Sequence, residues 1–250
     1  MLTVKDIEVH LSQLAPIELA EEWDNVGLMV GDRNAEVAKV LVCLDVTQAI
    51  LNEAIAQKVQ LIVTHHPLIF QPLKHVCETD WAFSLIKNGI SVISMHTNLD
   101  KASGGVNDAL AAVLGLENVT VSADGFCRVG ELQTVHTPQA LADRVALLLQ
   151  TTVRVSAVSD KNIRRVAVCG GSGGDLLLNL PQVDAVISGE IRHHEWLAFN
   201  KVGVVAVEAG HHATEVCVVE ALADYLQKGF AELTVLSCKG DEPYRYITKE

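Results

Sequence analysis

The chain has 250 residues, 49% hydrophobic and 20% charged, with 31 acidic against 19 basic side chains and a formal net charge of −12. That length allows one large domain or two smaller ones, each able to bury a core, and the composition is too apolar for a disordered chain. The acidic balance argues against a general nucleic-acid binder, because phosphate neutralisation supplies most non-specific affinity; aromatic residues, at 4%, are too few for single-strand stacking platforms.

No apolar run reaches the roughly 18 residues of a membrane span. Lys5, Asp6 and Glu8 stand where a signal peptide would be apolar. The six cysteines (Cys43, Cys77, Cys127, Cys169, Cys217 and Cys238) are scattered and form no CxxC pair. They read as buried thiols of a cytoplasmic protein.

In chain order, strand and helix alternate. Thr3 with Asp6 makes a capping box that opens a helix to about Leu14, and Pro16 ends the segment. Val40–Leu44 is a buried strand, and Thr47 caps a helix through about Gln57. Leu61–Val63 is a strand, and Asp80 caps a helix that stops at Gly89. Ile90–Ser94 is a strand, and Val106–Leu114 a helix that ends at Gly115. The middle has short strands near Val119–Val121, Val129–Leu132 and Val153–Val158, with a helix opened by Thr137-Pro138. Val166–Cys169, Ala185–Ile187, Val204–Val207 and Leu233–Ser237 are strands, and Thr214 to about Gln227 is one long amphipathic helix. Uninterrupted apolar strands between helices imply mostly parallel sheets covered on both faces.

The pattern predicts two similar α/β halves, residues 1–118 and 119–250, with the C-terminal elements free to pack back on the first. Val40–Cys43 leads to His65 as Val166–Cys169 leads to Glu190, at nearly the same spacing. Gly89–Val92 leads to His96 as Gly203–Ala206 leads to His211. Register repeated at four points favours duplication. The first half needs an extra turn or loop between His65 and Gly89.

Seven of the ten histidines follow predicted strands: His65, His66, His96, His193, His194, His211 and His212. Open α/β sheets bind ligands at the carboxyl ends of their strands. His65 and His66 leave an extended segment in opposite directions and can serve two ions, or one ion and a substrate. A backbone-bonded His pair at a turn is the plain alternative. In His96-Thr97-Asn98-Leu99-Asp100 an imidazole and a carboxylate stand four apart, although Asp100 can equally be a turn residue. His211 and Glu215 share one face at a helix start, where a dipole-favoured Glu is the simpler reading. Taken together, His65, His66, Asp100, His211 and Glu215 are five nitrogen and oxygen donors. Five exceed the usual three of a catalytic zinc and fit two divalent ions, drawn from Zn, Fe, Mn, Co or Ni.

Glu190 with His193 or His194 can act as general acid or base, or orient the ligands. His96 stands with them as a catalytic candidate. The loop Gly170-Gly171-Ser172-Gly173-Gly174-Asp175 can present N–H groups to phosphate, but it lacks the Walker lysine. A tight strand-to-helix turn accounts for its glycines equally well.

Several motifs resemble the Nif-three-like family, whose members are called GTP cyclohydrolase 1 type 2 homologues. They are Trp23-Asp24-Asn25-Val26-Gly27-Leu28, Thr64-His65-His66-Pro67-Leu68, His96-Thr97-Asn98-Leu99-Asp100, Cys169-Gly170-Gly171-Ser172-Gly173, Gly189-Glu190-Ile191-Arg192-His193-His194 and Gly210-His211-His212-Ala213-Thr214-Glu215. The resemblance covers nearly the whole chain and is to the short bacterial form. It implies two α/β domains with a dinuclear metal site in the cleft between them, and it carries the ligand role onto the same five residues. It prefers His194 over His193. It also implies a ring-shaped homohexamer and hydrolytic opening of the GTP imidazole ring with loss of formate. Two other functions suit the same donors: a two-metal phosphoesterase, and a metal-binding regulatory or scaffold protein without catalysis.

Overall fold

The computed structural model describes residues 1–157, 161–180, 182–240, 242–245 and 247. They form two compact units. The first comprises Met1–Gly105 and the chain that returns from Val219 through the last strand; the second is Val106–Val218 with the described residues from Glu242 onward. The passage falls before a helix, whereas the change of pattern in the sequence lies near residue 118.

The first unit contains α1 (Val4–Leu14), β1 (Gly27–Val30), β2 (Lys39–Cys43), α2 (Gln48–Ala56), β3 (Leu61–Thr64), α3 (Trp81–Lys87), β4 (Ser91–Ser94) and α4 (Thr97–Lys101). Helices α1 and α2 begin where the sequence supplies caps, whereas Asp80 stands at the start of α3 without capping it, its carboxylate accepting from Cys77 N instead. Thr3 Oγ1 accepts from Asp6 N, and Asp6 Oδ2 accepts from Thr3 N at 2.9 Å. Thr47 Oγ1 accepts from Ile50 N.

The second unit contains α5 (Val106–Val113), β5 (Glu117–Val121), β6 (Arg128–His136), α6 (Pro138–Leu149), β7 (Arg154–Val155), β8 (Ile163–Cys169), α7 (Gly174–Leu177), β9 (Ala185–Ser188), α8 (His193–Val202), β10 (Val205–Glu208) and α9 (His211–Glu215). The predicted Val153–Val158 strand is thus ordered as a strand only at Arg154–Val155, and Val158 lies outside the described residues. The chain then makes α10 (Cys217–Gly229) and β11 (Thr234–Cys238).

The first sheet has the order β1-β4-β3-β2-β11. Only β1 runs antiparallel, and Thr234–Cys238 pairs in parallel with Lys39–Cys43. Its central strands β2, β3 and β4 are buried on both faces. Leu41, Cys43, Ile62 and Val92 pack into one cluster with Ile50, Leu51 and Leu85. The alternate residues Val40, Val42, Leu61, Val63 and Ile93 are buried as well. His10 of α1 stacks on Tyr225 of α10 with ring centroids 4.5 Å apart, and Tyr225 Oη donates to the His10 carbonyl.

The second sheet, β5-β6-β8-β9-β10-β7, is mixed, which corrects the expectation of mostly parallel pairing in both halves. Here β8-β9 and β9-β10 are parallel, while β5-β6, β6-β8 and β10-β7 are antiparallel. A short loop over residues 122–127 joins β5 to β6, and only antiparallel neighbours can be joined so tightly. Both faces of the central strands are again covered: Val166, Val168 and Ile187 pack on one side, Ala167, Cys169 and Val186 on the other.

The predicted helix from Thr214 is also corrected, since two helices meet at Val216. The Thr214 hydroxyl donates back to the Gly210 and His211 carbonyls, and such back-bonding bends a helix. A third correction concerns the cysteines. Cys43, Cys127 and Cys169 are buried, Cys77 is exposed, and the other two are half-buried.

The duplication read from the sequence has a structural counterpart. Strands β1-β4-β3-β2 and β7-β10-β9-β8 share order and orientation, each with its antiparallel strand at the edge. The extra length after His65 is irregular chain from Pro67 to Asp80, ahead of α3; α8 starts much sooner after Glu190. A five-residue helix follows the third parallel strand in both units, α4 after β4 and α9 after β10.

Candidate metal centre

In the first unit the donors stand at the ends of β2, β3 and β4. The ladder runs one step past β3: His65 N donates to Cys43 O at 3.2 Å, and His66 N to Leu44 O at 2.9 Å. Two successive backbone bonds fix the pair, and the pleat separates their side chains. His65 is 1% exposed. Its Nδ1–H donates to the Met95 carbonyl at 2.8 Å. His66 Nδ1 lies 2.8 Å or closer to a carboxylate, that of Asp45 at the end of β2, at 2.7 Å. His96 Nδ1 lies 2.8 Å from Asp24 Oδ1.

The rings of His65, His66 and His96 are 4.9, 5.3 and 5.7 Å apart in pairs, and each offers a nitrogen within 4.8 Å of the others. Asp100, on α4, places Oδ1 3.7 Å from His65 Nε2. That separation is too long for a hydrogen bond and is of the order that two ligands of one cation show.

In the second unit the donors stand at the ends of β9 and β10. His211 Nε2 lies 3.1 Å from Glu215 Oε2, and its Nδ1 lies 3.2 Å from Glu190 Oε1. The Ser172 hydroxyl donates to the other oxygen of Glu190. This bond, more than the neighbouring imidazole, holds the Glu190 carboxyl below its usual range against the opposing effect of burial. Glu215 is 4% exposed.

The two units are built alike at this point. After β4, His96 stands at the N-cap of the short helix that carries Asp100; after β10, the short helix carries both His211 and Glu215; each pair is spaced four residues apart. His194 does not join this group by any contact on α8. It is exposed on the first turn, 3.9 Å from Glu195 Oε1.

The residues fit a divalent ion by the chemistry of their donors. His65, His66, His96 and His211 all have Nδ1 beside an oxygen acceptor. For His65, His66 and His96 that pairing assigns the proton to Nδ1 and leaves the Nε2 lone pair for an ion, as in metal-binding imidazoles; His211 has a carboxylate at each ring nitrogen, Glu190 at Nδ1 and Glu215 at Nε2. The acceptors Asp24 and Asp45, and Ser172 that donates to Glu190, were given no role from the sequence, although Asp24 and Ser172 lie in motifs it displayed. The one signal available was that each lies just before or after a strand. The thiols take no part in this chemistry; burial pushes Cys43 up to about 12, far from a reactive thiolate.

Three N–H groups of the glycine loop are occupied within the fold. Gly170 N donates to Asn107 Oδ1 at 2.7 Å, Gly171 N to Thr214 Oγ1 at 3.1 Å and Gly173 N to Ser188 Oγ at 3.1 Å. Its glycines answer to close approach instead. A Cβ on Gly171 would stand 2.1 Å from Glu215 Oε1, and one on Gly174 would stand 2.2 Å from Glu195 Oε2.

Fold and site together define a class: a two-unit α/β protein whose parallel-strand ends carry clustered imidazole and carboxylate groups able to hold metal. Residues 2–242 match the profile of Duf34/NIF3 (NGG1p interacting factor 3), and the chain belongs to that family. It is 34% identical over 265 residues to the "GTP cyclohydrolase 1 type 2 homolog" of Clostridium acetobutylicum, covering 98% of this chain and 99% of that protein. It is 32% identical over 224 residues to the "GTP cyclohydrolase 1 type 2" of Helicobacter pylori, covering 86% and 88%. A solved structure of a hypothetical protein from Staphylococcus aureus superposes with a TM-score of 0.90 at 27% identity, over 98% of this chain and 99% of that one. No helix among the described residues is long and apolar enough to cross a membrane.

Proposed function

We propose that this protein is a metal-dependent hydrolase acting on a nucleotide or a related heterocycle, with two divalent ions held by His65, His66, Asp100, His211 and Glu215. The observation that carries the reading is the common state of the imidazoles, each with Nδ1 engaged by an oxygen. The name of the Helicobacter pylori relative supplies the reaction class, hydrolysis of a GTP ring. Such ions, when bound, polarise a substrate oxygen and make water a nucleophile near neutral pH.

The remaining roles belong to the chain. Glu190 is ionised at neutral pH and hydrogen-bonded to Ser172 and His211. It orients His211 and accepts a proton more readily than it gives one. His96, steadied by Asp24, sits among the donors of the first unit and is placed to move a proton to or from substrate. His194 is exposed, as a residue that meets substrate from solvent would be. A ring-shaped homohexamer in the cytoplasm completes the proposal, and sedimentation of the purified protein tests that assembly.

The test of the chemistry loads purified protein with Zn, Fe, Mn, Co or Ni in turn, counts bound metal and follows formate release from GTP. Formate released by wild type and lost in His65→Ala is the expected result. Metal-replete wild type that is as inactive as His65→Ala overturns the cyclohydrolase reading. Phosphate released with the purine intact points to a phosphoesterase, and failure of a broad substrate screen points to a binding protein.

A further inference from the structure

Beside the donors of the first unit stand two exposed aromatic rings that the fold does not need. Trp23 is 60% exposed and Phe70 45%. Burying such rings is among the larger gains available to a folding chain, so leaving both in solvent in a fixed arrangement is a cost without a structural return. Fixed they are. Trp23 and Phe70 lie 6.0 Å apart, edge to face, and each lies edge-on to His96, at 6.3 and 6.4 Å. An edge-to-face pair meets at most one face of one ring, whereas stacking would have hidden a face of both.

Their loops are pinned by neighbouring residues. Asp24 accepts from Thr97 N at 3.0 Å and holds His96. Asn25 Nδ2 donates to the Ile69 carbonyl at 2.6 Å, which ties the Trp23 loop to the Phe70 loop. Phe70 itself rides on the irregular Pro67–Asp80 chain, the segment for which the second unit has no equivalent length.

We infer that Trp23 and Phe70 form a stacking corner that receives the planar heteroaromatic ring of the substrate and sets it against His96. The inference rests on the proposed function and adds to it the residues that read the ring. A single corner suits one base, in keeping with a composition too poor in aromatics to follow a strand of them. Stacking is indifferent to hydrogen-bond pattern, so this corner selects for a flat ring and not for one base.

The test measures equilibrium binding to the metal-loaded full-length protein. The probes are GTP, guanosine and inorganic triphosphate, and the proteins are wild type, Trp23→Ala, Phe70→Ala and Trp23→Phe. Metal content and sedimentation are recorded for each. Affinity for GTP and guanosine should fall roughly tenfold in each Ala variant, in the range that base–aromatic stacking spans. It should be largely restored in Trp23→Phe, with triphosphate binding and metal content unchanged. Equal affinity for the ring-bearing probes in all four proteins overturns the inference, as does an equal loss for triphosphate. Variants that change only the sedimentation coefficient overturn it too, and make this corner a contact between copies of the chain. A ring preference that depends on Trp23 in a protein without turnover keeps the corner and retires the hydrolase. Turnover with affinity indifferent to both rings does the reverse, and a wild type that binds neither nucleoside nor nucleotide retires both.

Discussion

Asp24 Oδ1 lies 2.8 Å from His96 Nδ1, so the last residues before β1 steady the histidine that follows β4. The same carboxylate accepts from the Thr97 backbone and hydroxyl. One loop residue therefore caps α4, fixes the His96 ring and anchors Trp23.

Burial by itself would raise the Asp24 pKa, but the hydrogen bonds from His96 and Thr97 outweigh it and hold the carboxyl well below its ordinary range. A carboxylate depressed on folding stabilises fully above its unfolded pKa, about 4, and that contribution is lost as pH falls toward the folded value. Asp24→Asn should lower stability at neutral pH by about 2 kcal/mol, the worth of charge-assisted hydrogen bonds. It should also flatten the acid limb. Urea melts of wild type and variant across the acid range check this, and parallel acid limbs would speak against it.

Glu190→Gln keeps the shape of the side chain and removes the charge that Ser172 and His211 share. Affinity for a divalent ion should fall about 10- to 100-fold, the usual cost of losing a residue that orients a metal-binding imidazole. Titration calorimetry with the metal-free protein measures it. His194→Ala should leave the same titration unchanged.

Gly171→Ala places a methyl where Glu215 Oε1 now lies and puts an L residue at φ +58°. The left-handed backbone alone costs about 1–2 kcal/mol, and the carboxylate must move as well. The melting temperature should drop by roughly 2–8 °C, given about 2–4 °C per kcal/mol at this chain length, and metal stoichiometry should fall with it. Retention of full metal content would show that Glu215 is not a ligand.

Chelation should lower the melting temperature and metal should restore it, because an ion that binds only the folded state stabilises by about 2.7 kcal/mol at one hundred times its dissociation constant. Differential scanning calorimetry with and without chelator reads the shift. The double variant His65→Ala, His211→Ala should show none.

The parts of the fold that local chemistry dictates were legible in the sequence. Thr3, Thr47 and Thr137 cap helices as their side chains allow, and the apolar runs at Val40, Val63 and Val166 are buried strands. That imidazoles and carboxylates gather at strand ends was legible too, because open α/β sheets present their polar groups there. What the sequence concealed depends on distant partners. β1 is four residues long and takes its place only by pairing with β4. Asp24 lies 72 positions from His96, and no periodicity announces that pairing. The break at Val216 follows from the Thr214 hydroxyl finding carbonyls of its own turn, a choice that an amphipathic pattern does not record.

The parallel pairing of β11 with β2 sets an order of events during synthesis. The body of the second unit, Val106–Val218, carries all the strands of its sheet and leaves the ribosome before β11; only the chain from Glu242 joins it later. The first unit emerges earlier but must wait, because Thr234–Cys238 is needed beside Lys39–Cys43. Until then the nascent chain holds β2 with an open flank, a template for strand pairing with other chains. The half that begins the polypeptide therefore completes its sheet only after every strand of the other half has been made, which leaves it exposed to premature termination.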